Sequence, residues 1–299
     1  MIDIGILGLD TSHPGEFAGI LDDSDRASVT AVWDGGDVHD ESHLEQFSEE
    51  YGATVCDRSE DMIDEVDGVI VSTVDWGTHT DLAVPFLHEG IPTLIDKPVA
   101  GSLAEIEAIE NVARSNDAPL FGGSAVAFHP RIAELDATDS PRTVFGVGYD
   151  HPFYYGAHVV DAVETMIDGR WTKIDANGAP GASVNVTFDD GSYASFQFDG
   201  ADDAHTFGFL VTDDRRTDTV AVKSDQDELY CMYRSFIDAF LECVEEGRSD
   251  ADRLIDAATL LLGAQAALET DETITPWCQT LSDFEVHGSE FLAAYSPYY

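Results

Sequence analysis

The chain has 299 residues, of which 59 are Asp or Glu and 14 are Lys or Arg, so its formal net charge at pH 7 is −45. Such a chain has no basic stripe with which to neutralise phosphates, which excludes a nucleic-acid binder of that type and disfavours docking on an anionic membrane. Hydrophobic residues make up 43% of the sequence, which is enough for a full core.

The acidic residues are scattered along the whole chain, and only three residues are lysines. This composition is typical of a protein built for high salt, in which screening removes the repulsion between surface charges. No stretch reaches the roughly 18 apolar residues of a membrane-spanning helix. The N-terminus lacks the basic segment of a signal peptide, so no signal peptide is expected. The four cysteines lie far apart without a CxxC motif, which indicates a reduced, cytoplasmic protein.

Residues 1–124 alternate short apolar runs with longer amphipathic stretches, as expected of a parallel sheet covered by helices on both faces. The predicted strands are Ile2–Leu7, Val29–Trp33, Gly68–Thr73, Pro92–Ile95 and Pro119–Phe121. The predicted helices are Glu16–Leu21, Glu41–Tyr51, Thr80–His88 and Leu103–Ser115, the last of them preceded by a capping box of Ser102 and Glu105.

From residue 125 onward, strand-like runs are separated by turn sequences, which predicts antiparallel hairpins. The runs are Thr143–Tyr149, Ala182–Phe188, Ser192–Phe198, Thr206–Thr212 and Thr217–Val222. Helices are expected at about 157–168, 227–246 and 250–268, the last two joined by Gly247. The sequence therefore predicts an α/β protein: a Rossmann-type doubly wound parallel sheet in residues 1–124, then an α+β domain with an open, mostly antiparallel sheet in residues 125–299. We expect the second domain to bind the substrate.

One layer of helices is predicted on the second sheet, so one sheet face stays uncovered. The apolar residues assigned to that face are Val184, Val186, Phe196 and Phe198. An uncovered apolar face favours self-association. We therefore expect a homo-oligomer, a dimer or a tetramer, joined through the C-terminal sheet.

The first strand runs into the segment Gly8-Leu-Asp10-Thr11-Ser12-His13, which could hold a pyrophosphate at a helix N-terminus. A dinucleotide fingerprint would place glycines at positions 8, 10 and 13, and only the first is present. The Asp10 carboxylate would repel a pyrophosphate, which would then lie further out, against the Thr11 and Ser12 hydroxyl groups and the helix amides. Alternatively, or in addition, Asp10, Thr11 and Ser12 cap the helix.

Asp34 ends the second predicted strand. An acid at that position, roughly 20 residues past the glycines, is where a ribose hydroxyl pair is bound. Its carboxylate also repels a 2′-phosphate, which favours NAD over NADP as the cofactor. Because aspartate is frequent throughout this chain, the position of Asp34 rather than its residue type carries the inference.

Lys97 is one of three lysines and stands at the carboxyl end of a buried apolar strand. Ligands of open α/β sheets bind at that edge, so we interpret Lys97 as a functional residue. The structural alternative is an ion pair with Asp96 or Asp75.

Three segments resemble the glucose–fructose oxidoreductase/inositol dehydrogenase family, Gfo/Idh/MocA. Asp96-Lys97-Pro98 matches the family's Glu/Asp-Lys-Pro motif. The segment 69–79 is similar to its strand-four segment, which ends in a histidine before a helix. The segment 154–161 is similar to its second-domain motif, in which a histidine is followed three residues later by Asp. The resemblance covers most of the chain, and the order and spacing of the motifs carry it.

The resemblance implies an NAD(P)-dependent oxidoreductase that acts on a sugar, a polyol or a related small hydroxylated substrate. It implies that Lys97 lies beside the nicotinamide and polarises the reacting oxygen, and that His158 is the general base that takes the hydroxyl proton. The remaining residues expected to contact the cofactor, in addition to the first loop and Asp34, are Thr73, Trp76, His79 and Asp96.

The chain departs from the family at the catalytic aspartate four residues before the histidine, which is Tyr154 here. Tyr154 stays a candidate catalytic residue, because its hydroxyl can donate to a substrate oxygen, but it cannot orient an imidazolium as a carboxylate does. This departure, together with Asp10, leaves two alternatives open. One is a redox-neutral lyase or epimerase that retains NAD, and the other is a catalytically degenerate, ligand-binding Rossmann protein.

Several other residues have both a functional and a structural interpretation. Trp76 could cover the cofactor or anchor its own loop. His151 and Tyr155 are candidates for a sugar pocket, with plain packing as the alternative. Asp161 would share a helix face with His158, either as a substrate contact or as the partner of a buried histidine. No His/Cys cluster has the spacing of a metal site.

Overall fold

The computed structural model describes residues 1–135, 140–177, 181–201 and 205–297. The strands of the first half are β1 (Ile2–Leu7), β2 (Ala27–Trp33), β3 (Thr54–Val55), β4 (Gly68–Val71), β5 (Thr93–Asp96) and β6 (Leu120–Gly123). Its helices are α1 (His13–Asp22), α2 (Glu41–Tyr51), α3 (His79–His88) and α4 (Leu103–Ser115). The six strands form one parallel sheet in the order β3-β2-β1-β4-β5-β6.

The strands β4, β5 and β6 are buried along their whole length. A parallel strand covered on both faces needs consecutive apolar residues rather than an alternating pattern, and this explains runs such as Gly68-Val-Ile-Val71. The strand order reverses between β1 and β4, so the loops that follow these two strands diverge. Ligands of such sheets bind in the crevice at this switch point.

The second half contains the strands β7 (Thr143–Tyr149), β8 (Trp171–Asn177), β9 (Ser183–Phe188), β10 (Tyr193–Gly200), β11 (Thr206–Thr212) and β12 (Thr217–Lys223). Its helices are α5 (Pro130–Ala133), α6 (Gly156–Glu164), α7 (Gln226–Glu246), α8 (Ala251–Thr270), α9 (Gln279–Asp283) and α10 (Gly288–Ala294). The sheet order is β12-β11-β7-β10-β9-β8. Only the central pair of strands, β7 and β10, is parallel.

The two faces of the second sheet are the reverse of those predicted. The residues expected on the uncovered face, Val184, Val186, Phe196 and Phe198, are fully buried. They lie under α6 and α8, which pack on that face. The open face instead carries Phe145 and Val147 on β7, whose exposed fractions are 45% and 41%. The alternation of side chains between the two faces of the sheet was predicted correctly. This alternation does not indicate which of the two faces a helix covers.

The C-terminal helices return to the first domain. The helix α7 packs against α1, and α8 packs against α4 and β6. Further along, the Val286 amide donates to the Gly101 carbonyl oxygen at 2.8 Å, which ties the C-terminal segment to the loop after β5. The second half of the chain therefore contributes both a sheet domain and part of the packing of the first domain.

The elements of the first half agree with the predictions to within a few residues, and α2 and α4 match them at both ends. The sequence analysis missed β3, β8, α5, α9 and α10. The strand β3 has two residues, and β8 mixes polar and apolar residues without strict alternation, so neither presents a clear period of two. The predicted capping box is present, because the Ser102 hydroxyl accepts from the Glu105 amide at 3.3 Å.

The assignment of the two sheet faces predicts unequal effects for two matched substitutions. Phe196→Ala removes a buried ring and should lower the free energy of unfolding by about 3–5 kcal/mol. Phe145→Ala removes an exposed ring and should change it by about 0.5 kcal/mol or less. Urea unfolding of both variants in the same high-salt buffer measures the difference, and a larger loss for Phe145→Ala would contradict the assignment.

Candidate functional site

The loop between β1 and α1 has the form of an anion-binding turn. Gly8 has a φ of +92°, and a Cβ at this position would lie 2.5 Å from Thr73 Cγ2, so only glycine fits. Among the described residues, the backbone N–H groups of Thr11 and Ser12 have no acceptor. They lie at the start of α1, where helix geometry favours a negatively charged ligand. This observation fits a bound pyrophosphate.

Asp10 does not obstruct this loop. Its carboxylate is buried and accepts a hydrogen bond from the Val74 amide at 2.8 Å. Burial raises the pKa of Asp10 to about 6, against the opposing effect of that hydrogen bond. The predicted capping role is wrong for Ser12, whose side chain makes no capping bond, whereas the Thr11 hydroxyl accepts from the His13 amide at 3.2 Å. A capping role of Asp10 stays a prediction.

Asp34 follows β2 and holds two backbone turns. One carboxylate oxygen accepts from the Leu9 amide at 2.8 Å, and the other accepts from the Gly36 amide at 3.1 Å. Each carboxylate oxygen has a second lone pair. Asp34 is therefore fixed beside the phosphate loop in the position expected of a ribose acceptor.

Lys97 is buried at the end of β5, with 4% of its surface exposed. Its Nζ atom lies 3.3 Å from the centre of the Tyr154 ring, a cation–π contact. It forms no ion pair with Asp75 or Asp96 and donates no hydrogen bond to another described residue. Burial lowers the pKa of Lys97 to about 8, although Asp96 acts in the opposite direction. The ion-pair alternative is therefore not what the structure contains.

Asp96 is paired with His13 instead. The Nδ1 atom of His13 lies 2.6 Å from Asp96 Oδ2, and the imidazole packs edge-on against Tyr233. Burial acts to raise the pKa of Asp96, but the charges of His13 and Lys97 outweigh it and hold that pKa below its usual value. The third fingerprint position thus carries an imidazole oriented by a buried carboxylate.

His158 reaches the same region from α6 in the second domain. Its Nδ1 atom lies 2.6 Å from the Ser124 hydroxyl. Burial, together with the positive charges of Lys97 and His13, holds the pKa of His158 well below its usual value. The centre of the Tyr155 ring lies 5.8 Å from Lys97 Nζ and 6.1 Å from the centre of the His158 ring. Tyr155 is therefore a common neighbour of Lys97, at the end of β5, and His158, on α6.

Asp161 forms hydrogen bonds to described residues other than His158. Its carboxylate accepts from the Arg253 guanidinium and from the Ser124 amide. Arg253 also donates to the Gly122 carbonyl oxygen at 2.8 Å and to Asp250 at 2.6 Å. Both oxygens of Asp161 therefore make structural contacts, and its role as a substrate contact stays a prediction.

Trp76 anchors its loop rather than covering an open site. It is buried, its Nε1–H donates to the Val286 carbonyl oxygen at 2.7 Å, and its ring packs against Phe153. Tyr154 lies close by, and its ring stacks on Phe291 of α10 with 4.3 Å between centroids. Of the two interpretations of Trp76, the structure favours the anchor.

Three further candidates are also held by local bonds. The two ring nitrogens of the buried His79 lie 2.9 Å from the Thr73 carbonyl oxygen and 3.1 Å from the Val99 carbonyl oxygen. The Thr73 hydroxyl is 2.7 Å from the Thr78 hydroxyl. His151 accepts from the Tyr154 amide at 3.2 Å. These residues join the loops after β4 and β5 and start the segment before α6.

A cavity of about 540 Å³ lies between the two domains. Its first-domain wall includes Ser12 and His13. Its second-domain wall includes Tyr155 and His158, which the sequence analysis singled out. The wall residues that it missed include Tyr149, His205, Lys223 and Tyr233. Nothing in the local sequence around these residues marks them, because strand pairing and the return of α7 bring them there.

The described ranges contain neither a candidate metal site nor a candidate membrane-spanning helix. They contain no group of three or more His, Cys, Asp or Glu side chains arranged to hold a metal ion. They also contain no helix with the length and apolar character needed to cross a membrane.

The burial of Lys97 predicts a dependence of stability on pH. The folded protein releases this proton near pH 8, whereas the unfolded chain holds it up to about 10.5. The unfolded state therefore binds more protons between these values, and the free energy of unfolding should gain a contribution that grows with pH. Urea unfolding across this range should show the rise in the parent protein and in Lys173→Met, and its loss in Lys97→Met. An identical pH profile for Lys97→Met and the parent would contradict the assignment.

Residues 2–124 match the model of a family described as an oxidoreductase family with an NAD-binding Rossmann fold, Gfo/Idh/MocA. No curated protein sequence matches the chain.

Solved structures resemble the whole chain more broadly. A probable dehydrogenase from Thermotoga maritima has a TM-score of 0.78 at 15% identity, with 92% of this chain and 99% of that chain covered. A scyllo-inositol dehydrogenase from Lactobacillus casei, with bound NAD(H) and scyllo-inositol, has a TM-score of 0.73 at 13% identity, with 92% and 99% covered. A myo-inositol 2-dehydrogenase from Lactobacillus plantarum has a TM-score of 0.73 at 12% identity and the same coverage.

At these identities the solved structures show a shared fold, and the family model covers the residues of the parallel sheet. The matched residues are the ones that form the parallel sheet, the phosphate loop and the lysine at the end of β5. Residues 2–124 therefore match the Gfo/Idh/MocA family of oxidoreductases with its NAD-binding Rossmann fold.

Proposed function

We propose that the protein transfers a hydride between NAD and a small hydroxylated substrate, a sugar, a polyol or a related compound. The observation that carries this proposal is that Lys97, at the carboxyl edge of the parallel sheet, and His158, on α6 of the second half, both neighbour the Tyr155 ring. Oxidation of an alcohol needs a hydride acceptor, a group that receives the hydroxyl proton and a group that stabilises charge on the oxygen. These two side chains supply the second and third requirements.

The first domain offers the contacts that a dinucleotide needs. The free amides of Thr11 and Ser12 suit the pyrophosphate, and Asp34 suits the ribose hydroxyls and disfavours a 2′-phosphate, so NAD is preferred over NADP. Bound NAD would supply the nicotinamide carbon that accepts the hydride. Asp96 and the loop of Thr73 and His79 hold the surroundings of that site in shape.

The substrate side is supported by the cavity between the domains. Tyr155 and Tyr149 present aromatic faces, which suit the apolar face of a sugar ring, and His158 presents a polar ring. The Lactobacillus casei structure of this fold holds scyllo-inositol, which supports a polyhydroxylated substrate for this chain. Tyr154 replaces the family's aspartate and covers the Lys97 ammonium with its ring.

A redox-neutral reaction with retained NAD, as in a lyase or an epimerase, is the second candidate. The observation that favours it is the His13–Asp96 pair, because an imidazole oriented by a buried carboxylate on the cavity wall is a second acid–base group. Net change in the absorbance of the reduced nicotinamide during turnover distinguishes the two reactions, since only the first produces it.

The setting that we propose is the cytoplasm of a cell with a high internal salt concentration. All four cysteines are free, in keeping with a reducing compartment. The excess of acidic residues suits a salt-rich medium.

The proposed roles predict different effects for two lysines. Lys97→Met should lower kcat by about 10²-fold or more, as loss of an acid–base group does, while NAD still binds through the phosphate loop. Lys173→Met removes a half-exposed lysine from β8 and should leave turnover unchanged. NAD titration by intrinsic fluorescence in high salt, followed by steady-state kinetics, measures both effects. Absence of saturable NAD binding to the parent protein, or full turnover by Lys97→Met, would remove the proposal.

We also propose a homo-oligomer, a dimer or a tetramer, joined through the open face of the second sheet. Phe145 and Val147 are exposed on neighbouring positions of that face, and such a pair favours burial against a second copy. Val147→Glu should therefore lower the mass measured by light scattering in high salt. Val55→Glu changes a comparably exposed valine on the edge strand β3 and should not. A monomeric parent protein would end this part of the proposal.

A further inference from the structure

Ser124 connects the two domains at the base of the proposed site. It follows β6 and is fully buried. Its amide donates to Asp161, its hydroxyl oxygen accepts from the Val126 amide at 3.1 Å, and that same oxygen lies 2.6 Å from His158 Nδ1. Two residues of α6, Asp161 and His158, thus converge on Ser124.

The hydrogen bonds around Ser124 restrict where protons can lie. A serine hydroxyl has one proton and two lone pairs, and the Val126 amide already occupies one lone pair. Among the described residues, the acceptor within reach of the hydroxyl proton is His158 Nδ1. If Nδ1 carried a proton, the Ser124 hydroxyl would be a buried donor without an acceptor, which is costly. The arrangement therefore favours a His158 ring that has no proton on Nδ1.

We propose that Ser124 is a positioning residue that holds neutral His158 with its proton on Nε2, so that His158 donates a hydrogen bond to the reacting oxygen and Lys97 exchanges the proton. This inference rests on the proposed function for its chemical consequence. It rests on the Ser124 contacts alone for the position of the proton on the ring.

The charged surroundings of His158 act in the same direction. Lys97 and His13 face it and disfavour the imidazolium, and the Asp161 carboxylate on its own helix is neutralised by Arg253. The other titratable residues on the cavity wall are Tyr149, Tyr155, Asp150, His205, Lys223 and Tyr233. A neutral ring that donates from one nitrogen polarises a carbonyl or alkoxide oxygen without itself taking the proton, as a neutral histidine can in other enzymes.

In this scheme the substrate is oxidised by losing a hydride and a proton. The C–H bond of the substrate breaks, and its hydride, with both electrons, passes to the nicotinamide of the NAD that the proposed function requires. The O–H proton passes to the neutral amine of Lys97, and a carbonyl group forms. The proton on His158 Nε2 stays on the ring throughout. This division of roles differs from the one expected from the family resemblance, in which His158 was the base.

Nitrogen NMR of the protein labelled with ¹⁵N in its histidine rings tests the inference without cofactor or substrate. A ring nitrogen without a proton resonates far from one that carries a proton, so the two tautomers and the imidazolium are distinguished. The His158→Gln variant identifies the His158 signals by their loss. We expect an unprotonated Nδ1 and a protonated Nε2 at neutral pH. A protonated Nδ1, in either the neutral or the charged ring, would overturn the inference.

Substitutions at Ser124 test whether its hydroxyl group fixes the tautomer of His158. Ser124→Ala should produce a mixture of the two neutral tautomers, and Ser124→Thr, which keeps the hydroxyl, should restore the single one. Ser102→Ala is the matched control, because Ser102 also caps a helix but contacts no histidine, and it should leave the His158 signals unchanged. Unaltered His158 signals in Ser124→Ala would overturn the role of Ser124, and the spectrum of the parent protein decides the tautomer even if this variant does not fold.

The NMR result and the proposed function can fail separately. If the protein shows the expected tautomer but does not turn over with NAD, the proposed function fails and the inference about the ring stands. If it turns over but His158 carries its proton on Nδ1, the inference fails alone. In an active protein, we expect Ser124→Ala to lower kcat about tenfold with little change in the Kd for NAD, a split that a general loss of folding would not give.

Discussion

The contact on which the site depends is the one that Arg253 makes at the junction of the two domains. Its guanidinium is bonded to the Gly122 carbonyl oxygen at the end of β6 and to Asp161 on α6. Loss of Arg253 or of Asp161 would break a buried ion pair, which is far more costly than loss of an exposed pair. Because Asp161 in turn holds the Ser124 amide, this ion pair sets the position of α6, and with it the position of His158, relative to the parallel sheet.

Asp10 and Tyr154 are two residues at which this chain departs from the family pattern, and the structure accommodates each in a different way. Asp10 stands where a dinucleotide fingerprint has its middle glycine, and its carboxylate is turned inward to the Val74 amide, which leaves the amides at the start of α1 available. Tyr154 stands where the family has an aspartate, and it contacts Lys97 through its ring instead of through a charge. Neither change closes the cavity, but the second removes a negative charge that would otherwise favour a protonated lysine.

The sequence was sufficient where the signal is local. Apolar runs and caps located nearly all elements of the parallel sheet, and the rarity of lysine identified Lys97. The sequence did not predict contacts between segments that are distant along the chain. His13 and Asp96 are 83 residues apart, and Ser124 and His158 are 34 residues apart. The alternation of Phe196 and Phe198 predicted a strand but not the covered face, because the packing of α6 and α8 decides that. Residues such as Ser124 carry no pattern of their own.

The last helix of the chain reaches the lysine at the centre of the proposed site. The ring of Tyr154 lies between the Lys97 ammonium and Phe291 of α10, and Trp76 is hydrogen-bonded to Val286 in the segment that precedes this helix. Since a chain folds as it leaves the ribosome and its N-terminal domain comes first, the parallel sheet can form while Lys97 is still hydrated. The lysine acquires its final environment only after α10 has been synthesised and has packed against Tyr154.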